Sequence, residues 1–422
     1  MAPDNLVNHS LTVTIVKTIF RNILSLCFFL LILSGCDQLL TETPAADDSL
    51  DGPIDGLTNS QRGIFALGDE AFGTVFTFES GLGPIFNQPS CERCHVGDGR
   101  ADPSVNLIRF GRNLGGGLFE LLPEFGGPQL QDRSMPGYPA ETLPAEADAI
   151  SVRGGPIVVG LGLLEAIPDS SILSRADEND SDGDGVSGKP NLVVAPEFLG
   201  LSVGPYGGKY IGRFGRKAGA INLLQQTATA YHQDIGVTSD YMPSENYNPQ
   251  SGGAGGDPVA DPEIPAATVN DVVFYLQTLR PPFRRNEDDP EVARGGDLFE
   301  QVKCASCHIP AMQTGEHPIA ALSNKSVHAY TDLLLHDMGP ELADNFIEGQ
   351  STGYEWRTTP LWGLGIVGNT LGGIPRYLHD GRTSDLREVI ALHQGEADSS
   401  RVRFGLLSLP DQEALLVFLK SL

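Results

Sequence analysis

Two five-residue motifs, CERCH at residues 91–95 and CASCH at residues 304–308, constrain this chain more than any other feature. The sequence has only six cysteines, and four of them lie in these motifs. In a CxxCH motif the two thiols can add to the vinyl groups of a haem, and the adjoining histidine can bind its iron. The spacing therefore predicts two covalently bound haem c groups, held by Cys91, Cys94 and His95 and by Cys304, Cys307 and His308.

Zinc binding and disulfide exchange are the alternatives for such cysteine pairs. A structural zinc ion takes four ligands, and it would leave the histidine repeated in both motifs unexplained. A thioredoxin-type CxxC needs no following histidine and lies in a βαβ unit, a pattern that this sequence does not have. Haem attachment explains all the repeated residues.

The first 36 residues resemble a bacterial export signal. Lys17 and Arg21 precede the apolar run ILSLCFFLLILSGC, which ends in the lipobox-like LSGC. Cleavage before Cys36 would leave a lipidated cysteine; a transmembrane anchor is the alternative, although the run is short for a bilayer span. We expect residues 1–36 to be a lipoprotein signal peptide, and the protein to be lipid-anchored on the periplasmic or cell-surface side.

Residues 37–60 are acidic and turn-rich, which predicts a flexible tether.

The charge of the chain restricts the kinds of partner that it can bind. The formal net charge of −26 argues against a nucleic-acid partner. It would favour a basic electron-donor protein, although a solvated acidic shell is the commoner explanation.

An internal repeat gives the organisation. QRGIFALGDEAF precedes the first motif and EVARGGDLFEQV the second, each a helical pattern with glycine in its apolar stripe. Amphipathic closing helices follow at NDVVFYLQTL and DQEALLVFLKSL. Glycine would let the first helix of each unit cross the closing helix closely. We therefore expect a mainly α fold with two cytochrome c-like haem domains, at residues 61–285 and 286–422, with long loops and a large insertion in the first.

Beyond the tether, the sequence resembles the bacterial di-haem cytochrome c peroxidases, and more closely their di-haem oxidoreductase (thiol-oxidoreductase-like) relatives. The segments GRFGRKAGAINLLQQTATAYHQDIG, WRTTPLWGLG and YLHDGRTSDLREVIALHQGEA carry much of the resemblance. It implies an N-terminal haem that reacts with hydrogen peroxide or a related oxidant, and a C-terminal haem that relays electrons. Thiol exchange itself is excluded on this interpretation, because haem attachment and lipidation use every cysteine of the mature chain.

The resemblance also implies catalytic residues. The family uses a glutamine and an acid, and Gln226 and Asp234 match them by position, with Gln225, His232 and Glu165 as competitors. Peroxide chemistry needs a group that moves a proton and donors that stabilise the departing oxygen. The alternative for INLLQQTA is the polar face of an amphipathic helix.

Axial iron ligands can be sought among the remaining histidines. His232 is the only further histidine of the first unit, and a lone loop histidine is more often structural, so we expect an open sixth position at the first haem. At the second haem the resemblance places the sixth ligand at His393, with Met338 and His336 as alternatives. A histidine bonded to the last carbonyls of a helix is the structural alternative for His393. His379, in the HDG segment, is expected beside the ligands.

The sequence departs from the family at one aromatic position. The peroxidases commonly carry a tryptophan between the haems, but Trp356 and Trp362 both lie in the second unit, so Phe214 or Tyr210 would fill that space. Arg213 and Arg216 are candidate partners of haem propionates, with solvent-facing arginine as the alternative.

An acidic loop predicts a calcium ion. In DENDSDGDGVSGKPN, Asp180, Asp182 and Asp184 are spaced like the first ligands of an EF-hand, and Gly185 follows at the turn position. Asn191 stands where an EF-hand has its bidentate glutamate. A disordered acidic loop is the alternative.

Together these features predict an exported, peroxidase-like di-haem c-type oxidoreductase that passes electrons from its C-terminal haem to its N-terminal haem. The alternative is a non-catalytic di-haem electron-transfer lipoprotein. The extended first unit and the HDG segment favour the enzyme.

Overall fold

A computed structural model describes residues 50–252 and 256–422. The predicted signal peptide, the lipidated Cys36 and residues 37–49 of the tether lie outside these residues. All the described residues belong to one compact unit, Asp47–Leu422. Within them, no helix combines the length and the apolar character that crossing a bilayer would require.

Ten α-helices form in the described residues, and a π turn at Tyr231–Ile235 continues the fifth. They are α1 Asn59–Gly73, α2 Cys91–Cys94, α3 Leu161–Glu165, α4 Asp169–Leu173, α5 Leu223–Ala230, α6 Ala266–Thr278, α7 Pro290–Gln301, α8 Leu386–Ala391, α9 Asp398–Leu406 and α10 Leu409–Ser421.

Short strands lie between these helices. They are β1 Ile85–Phe86, β2 Leu107–Gly115, β3 Leu118–Glu120, β4 Arg133–Ser134, β5 Ala149–Arg153, β6 Leu192–Val193, β7 Tyr210–Ile211, β8 Met312–Gln313, β9 Ser326–Val327, β10 Leu335–Asp337 and β11 Glu355–Arg357. The order β3-β2-β5 forms an antiparallel sheet, and the others pair as β1-β4, β6-β7, β8-β9 and β10-β11.

The helix content is lower than that of the mainly α fold that the sequence predicts. The structure is 34% helical and 14% strand, so a mixed fold with long irregular segments describes it better. The 50 glycines and 30 prolines account for this, because both residue types disfavour the interior of a helix.

Two pairs of helices cross closely at glycine. A Cβ atom on Gly68 of α1 would clash with the backbone oxygen of Asp271 in α6, and one on Gly295 of α7 would clash with that of Ala414 in α10. The closing helices bury the apolar faces that the sequence predicts, including Tyr275 in α6. The predicted role of glycine in both crossings is confirmed.

The hydrophobic core joins the two halves of the sequence. The larger cluster contains Val272 and Tyr275 of α6, and also Leu322, Leu333 and Trp362 from beyond the second motif. A second cluster packs α7 against α10. The chain after residue 285 therefore packs onto the first half, and the two predicted units share a core.

The tether prediction is wrong for its last residues. Leu50 and Leu57 are buried in the larger core, and the backbone N–H of Ile54 donates to the oxygen of Thr278 at 2.7 Å. Their apolar side chains find a surface beside α6, which a count of acidic and turn-forming residues does not reveal.

Candidate active site

One cavity is lined by residues of both CxxCH motifs. The first motif begins in α2, whose N-cap Ser90 accepts a hydrogen bond from the backbone N–H of Arg93. The cysteines and histidines of the two motifs all line the cavity: Cys91, Cys94, His95, Cys304, Cys307 and His308.

Both motif histidines are oriented by a backbone carbonyl. Nδ1 of His95 donates to the oxygen of Pro156 at 2.8 Å, and Nδ1 of His308 donates to that of Tyr330 at 2.9 Å. Burial lowers the pKa of His95, and burial lowers that of His308 to about 4. Each ring is thus neutral at pH 7 with its Nε2 lone pair free, which is the state that binds a metal ion.

The thiols of the motif cysteines ionise poorly. Burial, with help from Asp234, raises the pKa of Cys91 and Cys94 to about 12, and burial raises that of Cys304 to about 12. Disulfide exchange requires a thiolate, so these environments do not favour it.

Three buried arginines of this cavity fit the propionates of haem. Arg100, Arg216 and Arg357 are each less than 9% exposed. Nε of Arg100 has no hydrogen-bond partner, and the bonds found for the three guanidinium groups go to backbone carbonyls. Backbone carbonyls and the more distant carboxylates of Asp380 and Asp332 compensate these buried positive charges only in part. The carboxylates of bound haem would compensate them.

One face of α5 and of the π turn that continues it carries the predicted catalytic side chains. Gln226, Ala230 and Asp234 are each four residues apart and all line the cavity. Residues i and i+4 share a face of an α-helix, and the π turn continues that helix to Asp234. The structure thus brings Gln226 and Asp234 together on the wall of the cavity.

Asp234 lies beside the first motif and is partly buried. Its Oδ1 accepts a 2.6 Å hydrogen bond from Nε2 of Gln129. Burial raises its pKa to about 6, although Gln129 and Arg109 act in the opposite direction. A carboxyl group that titrates near neutral pH can both accept and return a proton.

Three residues were alternatives for the catalytic roles, and none of them lines the cavity: Gln225, His232 and Glu165. Oε1 of Gln225 accepts from the N–H of Ile221, and Oε1 of Glu165 accepts from that of Leu223. Nε2 of His232 donates to the oxygen of Ser244 at 2.9 Å. These side chains stabilise the ends of α5 and its neighbouring loop.

At the second motif, His393 lies near His308. Nδ1 of His393 donates to the oxygen of Val389 at 2.7 Å, and the proximity of His393 is one of the causes that lower the pKa of His308. A histidine with a purely structural role at a helix end would also make this bond to Val389. The bond nevertheless leaves Nε2 of His393 free in the cavity. Met338 lines the same cavity, whereas both ring nitrogens of His336 are bonded to carboxylates.

Comparison with known proteins decides the family. The family described as "Di-haem oxidoreductase, putative peroxidase" matches residues 142–422, which include α5, the second motif and the HDG segment. The chain belongs to the di-haem oxidoreductase family.

Other comparisons add little to this assignment. Two solved structures are similar to this di-haem oxidoreductase over 91% of its chain. They are hydrazine synthase of Kuenenia stuttgartiensis, at 14% identity over 96% of that chain with a TM-score of 0.37, and a MauG-like protein associated with microbial copper homeostasis, at 16% identity over 95% with a TM-score of 0.38. No curated protein matches the sequence.

Aromatic residues from the second half of this di-haem oxidoreductase enter the cavity. Trp356 and Trp362 both line it, and the Trp356 ring stacks on His379 with centroids 3.9 Å apart. Phe214 also lines the cavity, whereas the hydroxyl of Tyr210 donates to Ser202. Of the two residues predicted to fill the space between the haems, Phe214 lines the cavity and Tyr210 does not.

Of the two arginines considered for propionates, only Arg216 faces the cavity. Arg213 is buried and pairs with Asp169 at 2.5 Å, and its other bonds go to the oxygens of Leu164 and Ile167. Neither arginine is solvent-facing, because each is 7% exposed or less. The prediction of a propionate partner is wrong for Arg213.

The acidic loop of the di-haem oxidoreductase does not form the predicted EF-hand set. Asp177, Asp180 and Asp182 bring carboxylate oxygens within 4.8 Å of one another, whereas Oδ1 of Asp184 accepts from the N–H of Val186. Asn191, at the twelfth EF-hand position, is fully buried and donates to the backbone oxygens of Lys217 and Glu348.

Proposed function

We propose that this protein is an exported, peroxidase-like di-haem c-type oxidoreductase. Electrons would pass from the C-terminal haem to the N-terminal haem, which would react with hydrogen peroxide or a related oxidant. The observation that carries the proposal is the pair Gln226 and Asp234 on one helix face of the cavity. Export and the lipid anchor on Cys36 rest on the sequence alone.

Haem bound at the first motif would supply an iron atom with an open position for peroxide. Asp234 would accept a proton from hydrogen peroxide and return it to the departing oxygen. Because its pKa is about 6, neither transfer is strongly uphill near neutral pH. The Gln226 amide donates a hydrogen bond to the charge that develops on the departing oxygen.

The overall reaction balances without a further substrate. Hydrogen peroxide takes up two electrons and two protons and yields two water molecules. The electrons come from a donor protein, and the net charge of −26 favours a basic one. His393 would complete the ligand set of the second haem together with His308, as a relay site requires.

Carbon monoxide distinguishes this proposal from a non-catalytic electron carrier. The reduced holoprotein should bind carbon monoxide at one of its two haems, because on this proposal the first iron would have no second protein ligand. A carrier with both irons six-coordinate would leave the spectrum of the reduced protein unchanged. The variant Asp234→Asn serves as a control, since it should bind the gas and yet reduce peroxide poorly.

A calcium ion in the acidic loop is part of the same proposal. Three carboxylates in one group favour a hard divalent cation. Asp180→Ala together with Asp182→Ala should lower both the bound calcium and the melting temperature. Asp184→Ala is the matched control, because it removes an acidic side chain of the same loop that is not one of the three grouped carboxylates. Equal calcium content in the double variant and the parent protein would refute the site.

A further inference from the structure

His336 is buried beside the second haem motif with a carboxylate on each ring nitrogen. Nε2 lies 2.8 Å from Oδ2 of Asp332, and Nδ1 lies 2.7 Å from Oε2 of Glu396. Ionised carboxylates can only accept hydrogen bonds, so both nitrogens donate and the ring is an imidazolium. We refer to Asp332, His336 and Glu396 as the charge triad.

The charge triad touches the haem attachment point. Nδ1 of His336 also lies 3.6 Å from Sγ of Cys307. His336 is 3% exposed and Asp332 is 1% exposed, so water screens their charges weakly. With two carboxylates and one imidazolium, the triad carries a net charge of −1. Arg357 is the cation that faces it, through its interaction with Asp332.

The ionisation states agree with this geometry. Burial lowers the pKa of His336, but its bonds to the carboxylates of Asp332 and Glu396 raise that pKa well above its usual range. Burial raises the pKa of Glu396, yet the bonds from His336 and from the backbone N–H of Asp337 lower it overall. The carboxylate and the imidazolium therefore stabilise each other's charged forms.

The long insertion of the first half holds the charge triad in place. Ser187 donates to Glu396 twice, from its N–H to Oε2 at 2.9 Å and from its hydroxyl to Oε1 at 3.1 Å. A Cβ atom on Gly188 would lie 2.6 Å from Cε1 of His336, so only glycine lets the backbone pack against this ring. Residues 187–188 thus connect the insertion to the second haem motif.

We propose that the charge triad sets the reduction potential of the second haem and that Ser187 and Gly188 fix its position. This inference rests on the proposed function, because it assumes a haem on Cys304, Cys307 and His308 that donates electrons. A net negative charge near an iron atom favours the oxidised form, which carries one more positive charge. The triad, whose charge Arg357 offsets in part through Asp332, therefore lowers the potential of the second haem and makes it a better electron donor.

Spectroelectrochemical titration of the holoprotein tests the inference with two variants of opposite sign. Glu396→Gln removes a negative charge and should raise the potential of the second haem. His336→Gln removes the positive charge and should lower it. Ser187→Ala changes no charge and should move the potential much less than either. The reduction potential of the first haem serves as the internal reference and should equal its value in the parent protein.

The outcomes separate this inference from the proposed function. If the reduction potential of the second haem shifts in the same direction in both charge variants, the cause is a structural disturbance and the triad inference is overturned. No shift in either variant, with peroxide still reduced, would also overturn it and leave the function standing. If haem analysis of the parent protein finds fewer than two haems per chain, the proposed function itself fails.

Discussion

Nε2 of Gln129 donates a 2.6 Å hydrogen bond to Oδ1 of Asp234, and the same nitrogen donates to Oδ1 of Asn87 at 3.0 Å. Gln129 is 3% exposed, so water does not compete for this contact. A hydrogen bond to the ionised carboxylate favours ionisation and opposes the effect of burial. Gln129 thus helps to hold the pKa of Asp234 at about 6.

This contact predicts a pH dependence of peroxide reduction. Asp234 must be ionised to accept a proton, so the rate should rise as the pH increases through about 6. Gln129→Ala removes a bond to the ionised form, which raises the pKa of Asp234 and moves the rise to higher pH. Asp234→Asn should abolish the rise.

Gln131→Ala is the matched control for that profile. Nε2 of Gln131 donates to the backbone oxygen of Gln233 and not to the carboxylate of Asp234. The control should keep the profile of the parent protein. An unchanged profile in Gln129→Ala, measured by stopped-flow kinetics from pH 5 to 8 (on the order of one unit below and two units above the Asp234 pKa), would argue against Asp234 as the proton acceptor.

Substitution of the two neighbouring glutamines of α5 should affect peroxide reduction very differently. Gln226→Ala removes a donor from the cavity and should slow peroxide reduction by roughly 10²-fold or more. Gln225→Ala removes a side chain that bonds to the backbone of Ile221 and should mainly lower stability. Steady-state kinetics and thermal unfolding of both variants distinguish these effects. Equal kinetic losses would mean that the register of the catalytic face is wrong.

The sixth ligand of the second haem gives a spectroscopic prediction. With His308 and His393 on the iron, the oxidised protein should lack the weak near-infrared band of sulfur-to-iron charge transfer. His393→Met should create that band and raise one haem potential, because methionine favours the reduced iron. A band in the parent protein that Met338→Ala removes would assign the ligand to Met338 instead.

The two helix crossings predict a stability pattern. Gly68→Ala and Gly295→Ala each place a methyl group against a backbone oxygen and should destabilise the protein by about 1–3 kcal/mol. Gly63→Ala in the same helix α1 meets no atom within 4 Å and should stabilise it by about 0.5–1 kcal/mol. Urea unfolding of the three variants checks this order. A stabilising Gly68→Ala would contradict the close crossing.

Local patterns were enough to predict part of this structure. A CxxCH motif is a covalent signature, and the crossing glycines sit in helices whose apolar period is visible in the sequence. The placement of Gln226 and Asp234 on one face also follows from helical spacing.

Contacts between distant segments could not be read from the sequence. Leu50 and Leu57 find a buried surface against residues more than 200 positions away, near Thr278. Asn191 is spaced like a calcium ligand, but its amide is used by Lys217 and Glu348. In each case a tertiary partner overrides the local pattern.

The most direct test of the central claim mixes the half-reduced protein with hydrogen peroxide in a stopped-flow spectrophotometer. With the second haem reduced and the first oxidised, the account predicts that both haem spectra change on the timescale of turnover, the second by losing its electron. Asp234→Asn should slow that change while keeping both haems. If neither spectrum of the parent protein changes on that timescale, the peroxidase account is contradicted.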